Sequence, residues 1–354
     1  ALVQEMVARM GAVTGKGLAD LIRERFRVRL TVFVMVVLVL ANLANTIGDF
    51  AGVAGAMEII GVSRYLAVPL AAIFVWLLVV RGSYRLVERV FLGATLIYAT
   101  YVISAILAHP PWGEVLRAVV TPTWQFDRAY VAMVIGLIGT TIAPWMQFYQ
   151  QAAVVDKGIR EQDYRYARID TYLGVISLNV VAFFIIVACG ATLFAHGVTI
   201  KDAADAAVAL RPLAGPNASW LFGIGLLNAG LFSVAIIPLS TAYAVCEAFG
   251  WEAGLDRSPR EAPVFVGLFT GLIVASALVI LIPGIPLIPV MLFSQVLNGM
   301  LLPFVLLFLI LLTSDRDIMG AYRNSTVFTV LSWALVVAMA ALSLLLVVTA
   351  LLGS

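Results

Sequence analysis

Nine stretches of the sequence are apolar enough and long enough to cross a bilayer, and that repetition constrains the chain more than any other feature. They fall at about 29–57, 65–81, 86–108, 129–155, 170–196, 218–248, 263–283, 288–313 and 326–352. A spanning helix needs roughly 20 predominantly apolar residues. A partial apolar helix at 1–10 precedes them and is already under way at Ala1, so a preceding segment is expected. The sequence is 62% hydrophobic and 12% charged, whereas a soluble domain is about 45–50% apolar and about 25% charged. That excess needs lipid as its solvent. The connections are short, so residues 1–354 read as a single transmembrane domain, all-α and polytopic.

Lys and Arg are distributed unevenly between the two sides. With the loop after residue 10 in the cytoplasm, 17 of the 22 basic residues fall on the cytoplasmic side and 5 outside. This is the bias of the positive-inside rule. It places the protein in the cell (inner) membrane with its C-terminus outside. Two outer loops, around Trp112–Val120 and Asp202–Leu210, mix apolar and charged residues and read as interfacial helices, with Trp112, Trp124 and Trp220 as headgroup anchors.

Soluble chemistry is excluded on the same footing. Cys189 and Cys246 each sit in an apolar run and read as small core residues, and His109 and His196 read as interfacial. Zinc spacing, a P-loop, a dinucleotide fingerprint and a nucleophile elbow are all missing. No enzyme activity, cofactor or nucleic-acid partner is expected.

Polar groups inside the spans carry the functional reading, because they are costly in a bilayer. In 29–57, Asn42, Asn45, Thr46 and Asp49 share one helical face. Interhelical hydrogen bonding accounts for the asparagines. Asp49 reads as functional, since an isolated carboxylate there must be protonated, paired or lining water. It also reads as the one well-buried titratable carboxylate within the spans. In 129–155, Gly139-Thr140-Thr141-Ile142-Ala143-Pro144-Trp145 predicts an interruption near Thr141–Pro144. Pro144 lacks the N–H that would serve the carbonyl four residues earlier. The alternatives are a plain proline kink and a broken helix of the kind that forms ion sites in transporters. Gln147, Gln150 and Gln151 follow the break and could line an aqueous path. Asn179, Asn228, Gln295 and Asn298 are mid-span amides, and the last two share a face. From Ala262 to Ser314 no charged residue occurs, which is too poor an inventory for a proton relay.

These residues resemble the Nramp family of divalent-metal transporters. Met6–Arg23 is similar to the end of that family's second helix and the following loop. Thr46-Ile-Gly-Asp49-Phe50 is similar to its acidic third helix, Gly139–Trp145 to its broken sixth, and Ser294-Gln295-Val-Leu with Leu311–Asp315 to its tenth. The resemblance implies the LeuT-like inverted-repeat fold, with the family's first helix missing from this chain together with the metal ligands it carries. It also implies that the Ala143 and Thr140 carbonyls line the metal site, with Gln295 and Asn298 contributing directly or through water. Asp49, Thr46, Asn45, Trp145, Gln150, Asn179 and Asn228 then belong to the pathway, and Gly139 and Pro144 to the helix break.

The departures from the pattern are specific. The family's Met-Pro-His reads Ala143-Pro144-Trp145 here; its next histidine falls at Gln150, a third-helix aspartate at Thr46, and Asp49 stands where a glutamate is usual. The ninth-helix arginine pair is missing. Loss of the thioether removes a soft ligand, and a roomier site with only oxygen donors suits Mg²⁺, which keeps several waters. The pattern resembles the prokaryotic Nramp-related magnesium transporters, so the resemblance implies Mg²⁺ uptake by a monomer through alternating access without proton coupling. The alternatives are a Mn²⁺ or transition-metal carrier and, from another class, an Nramp-like sensor domain.

Overall fold

A computed structural model of the chain describes residues 1–81, 89, 93, 95–121, 125, 128–201, 203–255 and 257–352. Helices of eight or more residues are numbered: α1 (Leu2–Thr14), α2 (Leu18–Arg25), α3 (Val28–Ile59), α4 (Arg64–Arg81), α5 (Ala99–Leu107), α6 (Trp112–Val120), α7 (Arg128–Thr141), α8 (Pro144–Asp156), α9 (Tyr164–Thr192), α10 (Ala218–Phe249), α11 (Pro263–Ile280), α12 (Leu287–Ser314) and α13 (Thr326–Leu352). Among the described residues, eight helical segments are long and apolar enough to span a membrane, α7 and α8 forming one of them together. The ninth expected span, 86–108, falls partly outside the described residues, and its described part is the shorter apolar helix Thr95–Leu107. The expected interfacial segments are helical at α6 and at Ala203–Ala207. Trp112 and Trp220 are exposed, and Trp124 lies outside the described residues.

Lipid supplies no hydrophobic drive for helix association, so packing rests on close approach and hydrogen bonds. Phe33, Leu66, Leu173 and Val330 face outward, as lipid-exposed side chains should. Small residues set the inner contacts. A Cβ on Gly230 of α10 would lie 2.7 Å from a Val53 methyl and 3.1 Å from the Asp49 carbonyl, so α3 and α10 touch backbone to side chain there. Asn42 of α3 donates to Thr241 Oγ1 of α10 at 2.7 Å. Two buried clusters result, one around Met6, Leu18, Met35 and Leu309, the other around Phe50, Val68, Leu239 and Phe269. Both cysteines are free thiols, Cys246 fully buried and Cys189 half-buried.

The end of the bundle richer in Arg and Lys carries a buried ionic network. Arg9 of α1 donates to the Tyr322 carbonyl at 3.0 Å and to Asn324 Oδ1 at 2.5 Å, and pairs with Glu5 at 3.4 Å. Tyr164 donates to Glu5 Oε1. Replacing Arg9 by Ala leaves the buried Glu5 charge with only the Tyr164 hydroxyl for a partner, a change that costs about 3–5 kcal/mol. We expect R9A to melt well below the parent in detergent, and Glu5→Gln placed on top of it to recover much of the loss. A double variant no more stable than R9A would count against the pairing.

One expectation about buried carboxylates is corrected here. Asp49 is not the single buried case: Glu247, in the last turn of α10, has an Oε2 shut off from solvent without a hydrogen-bond donor. A Cβ on Gly17 would collide with that carboxylate, so glycine at 17 is what lets Glu247 tuck against the start of α2. Glu5 is also buried, at 3% exposure.

Candidate ion site

The interruption expected from Pro144 is present. Helix α7 ends at Thr141, Ala143 is extended (φ −66, ψ 144), and α8 begins at Pro144. Pro144 offers no N–H to the Thr140 carbonyl. The Ala143 carbonyl accepts from the Met146 amide at 3.1 Å and, at 3.4 Å, from Gln147 Nε2. A simple kink would keep the helix continuous; here Ile142 and Ala143 separate α7 from α8.

What stands against the break is α12, and glycine decides how closely. A Cβ on Gly139 would overlap the Gln295 carbonyl oxygen and the Gly299 amide nitrogen and lie 2.8 Å from the Gly299 Cα. Gly299 in turn has the Ile135 carbonyl where its own Cβ would be. With neither residue bearing a side chain, α7 and α12 meet backbone to backbone, and Gln295 is brought beside the break.

Gln295 belongs to an amide cluster joining α12 to α3. Asn45 and Asn298, each 1% exposed, exchange two hydrogen bonds of 2.7 Å. Asn298 Nδ2 also reaches Gln295 Oε1 at 3.3 Å, and Gln295 Nε2 reaches Ser294 Oγ at 3.2 Å and Asn45 Oδ1 at 3.5 Å. Thr46 is buried but donates to the Asn42 carbonyl of its own helix at 2.8 Å. Asp49, one turn beyond Asn45, has a buried Oδ2 that receives no hydrogen bond.

Other expected site residues lie apart from this cluster. The Thr140 side chain is exposed, leaving its carbonyl as the group at the break. Asn179 is exposed on α9 and donates to the Val175 carbonyl of its own helix at 2.7 Å. Asn228 donates to Tyr98 Oη at 3.4 Å, and Gln150 to Thr171 Oγ1 at 3.2 Å. Gln147 and Gln151 are fully buried, Gln151 being tied to the Lys16 carbonyl at 2.8 Å. Trp145 is half-buried, and its carbonyl accepts from Ser240 of α10 at 2.9 Å. Ser240 and Gly299 lie beside these groups without having been singled out by the sequence; a scan for small residues facing the break could have found Gly299.

A cavity of about 380 Å³ opens at the less basic end, over Glu58, Arg64, Lys201, Pro286 and Met291. Met291 is one turn from Gln295. Met291 thus puts a thioether in the lining of this cavity. A second thioether, Met146, sits just past the break and accepts from Gln4 Nε2 at 4.0 Å. An apolar cavity of about 200 Å³ adjoins Pro144, bounded by Val37, Ala41, Leu301 and Phe304. Among the described residues, no group of three or more His, Cys, Asp or Glu could hold a metal.

This bundle of apolar spans, with one span interrupted, has the LeuT-like fold of membrane transporters. The chain matches the family described as natural resistance-associated macrophage protein-like over residues 1–349 and belongs to it: it is a divalent metal transporter of the Nramp type, and no enzyme. Among its relatives is the divalent metal cation transporter MntH of Deinococcus radiodurans, 29% identical over 97% of this chain and 78% of that protein. The MntH of Bacillus subtilis is 26% identical over 98% and 81%. Similar solved structures include the Eremococcus coleocola manganese transporter with an aromatic bis-isothiourea compound, at TM-score 0.73 and 22% identity, covering 97% of this chain and 76% of that one. A mutant of the same transporter matches at TM-score 0.71 and 21% identity over the same shares.

Proposed function

We propose that the protein takes up Mn²⁺ by alternating access, as a monomer acting through one transmembrane domain with its C-terminus outside, and that it discriminates poorly against Mg²⁺. The observation that carries the reading is the Thr140–Ala143 break held against Gln295 by the Gly139–Gly299 contact. The manganese assignment rests on relatives named as manganese or divalent-metal transporters. An oxygen-rich site is compatible with it, because carbonyl and water ligands suit Mn²⁺ and Mg²⁺ alike. Reading oxygen donors as a mark of magnesium alone underrates that overlap. Magnesium as the main cargo stays the second reading, favoured by Ala143 in place of a thioether.

Uptake uncoupled from protons is part of the proposal. The positions at which the resemblance puts titratable groups hold Thr46, Trp145 and Gln150 instead. A 100 mV inside-negative potential supplies a divalent ion with about 4.6 kcal/mol, enough to drive accumulation. Proteoliposomes carrying the protein should take up Mn²⁺ without internal acidification, and a tenfold excess of Mg²⁺ should inhibit strongly. Uptake equal to that of empty liposomes ends the transport reading; indifference to Mg²⁺ ends the claim of weak discrimination. Gln295→Ala should raise the KM for Mn²⁺ about tenfold, the loss of one hydrogen-bond-strength contact to a charge.

A further inference from the structure

We propose that Asn45 and Asn298 are positioning residues that turn the Gln295 carboxamide oxygen toward the ion; the idea rests on the reading of Gln295 given above. A primary amide carries two hydrogens and one oxygen with two lone pairs, so a closed cluster can be accounted for group by group. Both hydrogens of Gln295 are spent, on Ser294 Oγ at 3.2 Å and on Asn45 Oδ1 at 3.5 Å. Both hydrogens of Asn298 are spent as well, on Asn45 Oδ1 at 2.7 Å and Gln295 Oε1 at 3.3 Å. Asn45 uses one hydrogen on Asn298 Oδ1 at 2.7 Å and fills both lone pairs of its own oxygen.

The remainder is lopsided. Two oxygens, Gln295 Oε1 and Asn298 Oδ1, each keep a lone pair, against a single hydrogen on Asn45. Three amides in water present donors and acceptors equally, and this cluster has turned nearly all its donors inward. Gln295 is the member beside the break, since its backbone carbonyl is what a Cβ on Gly139 would strike. Flipping its carboxamide by 180° would face its N–H groups toward Asn298 Nδ2 and its oxygen toward Asn45 Oδ1, losing both of its bonds to the asparagines while the Asn45–Asn298 pair stays as it is. Burial makes that loss costly. The cluster therefore holds Gln295 with its acceptor available to a cation and its donors out of the way. Asn45 does this from a different helix, so the orientation depends on α3 and α12 staying in register.

The test is a cycle of variants in the full protein, with Mn²⁺ uptake in proteoliposomes as the readout and a melting curve on each variant. Asn298→Ala should raise the KM about tenfold while leaving the maximal rate within about twofold. The Asn298→Ala, Gln295→Ala double variant should have the KM of Gln295→Ala alone, because Asn298 acts through Gln295. Multiplied effects in the double variant would mean that Asn298 touches the ion itself and would overturn the proposal, as would an unchanged KM in Asn298→Ala. If Asn298→Ala fails to fold, Asn45→Thr carries the same cycle with the same outcomes. A Gln295→Ala protein with unaltered KM would strike instead at the placement of the ion, which keeps the two failures distinguishable.

Discussion

Gly139→Val should abolish Mn²⁺ uptake and lower the melting temperature of the protein, whereas Gly174→Val should do neither. The first glycine faces backbone: a Cβ there would overlap the Gln295 carbonyl and the Gly299 amide and sit 2.8 Å from the Gly299 Cα. Backbone atoms of a packed helix cannot swing aside as the tip of a side chain can, so α7 and α12 must separate. Overpacking a tight interface costs about 1–3 kcal/mol, and a whole isopropyl group against main chain puts this case at about 3 kcal/mol or more. Separation also withdraws Gln295 from the break, so transport should fall further than stability. Gly174 has nothing within 4 Å of its would-be Cβ, which makes it a control for the cost of valine in a spanning helix. Detergent melting curves and proteoliposome uptake on both variants decide it. Full activity in Gly139→Val would mean that the contact between α7 and α12 does not position the site.

The parts of this arrangement legible in the sequence are those set by local chemistry. Eight of the nine apolar runs are spans among the described residues, because bilayer thickness acts on each segment separately. The break was legible for the same reason: Pro144 removes a donor whatever it packs against. The amide cluster is a different matter. Asn45 and Asn298 are 253 residues apart, and nothing local to either says that the other is its partner. Asn179 illustrates the converse error, since a mid-span amide can satisfy itself on its own helix, as its bond to the Val175 carbonyl does. Thr46 does the same with Asn42. Sharing a helical face proved a weak guide too, because Asn42 turns to Thr241 of α10 while Asn45 turns to Asn298 of α12. Faces of a helix in a bundle are divided among several neighbours, and only packing assigns them. The Gly17–Glu247 contact was hidden in the same way, the small residue and the carboxylate being brought together from opposite parts of the chain.

Ala143→Met should sharpen selectivity and should do so in one direction. Ala143 is 2% exposed, so the added side chain must find room among its neighbours. Methionine is unbranched and adapts to irregular space. On the proposed function, a side chain turned toward the ion would bring its sulfur beside the Ala143 carbonyl. Thioethers favour softer ions over Mg²⁺ and Ca²⁺, so Cd²⁺ uptake should rise and the ratio of Mn²⁺ to Mg²⁺ affinity should increase about tenfold, equivalent to about 1.4 kcal/mol. Competition of each ion against Mn²⁺ uptake measures the ratio, and Ala143→Leu separates chemistry from bulk, having similar volume without sulfur. If leucine and methionine act alike, the effect is steric and residue 143 does not face the ion. If only methionine shifts the ratio, the softness of one atom at that position governs what the protein carries, and alanine there accounts for the tolerance of magnesium.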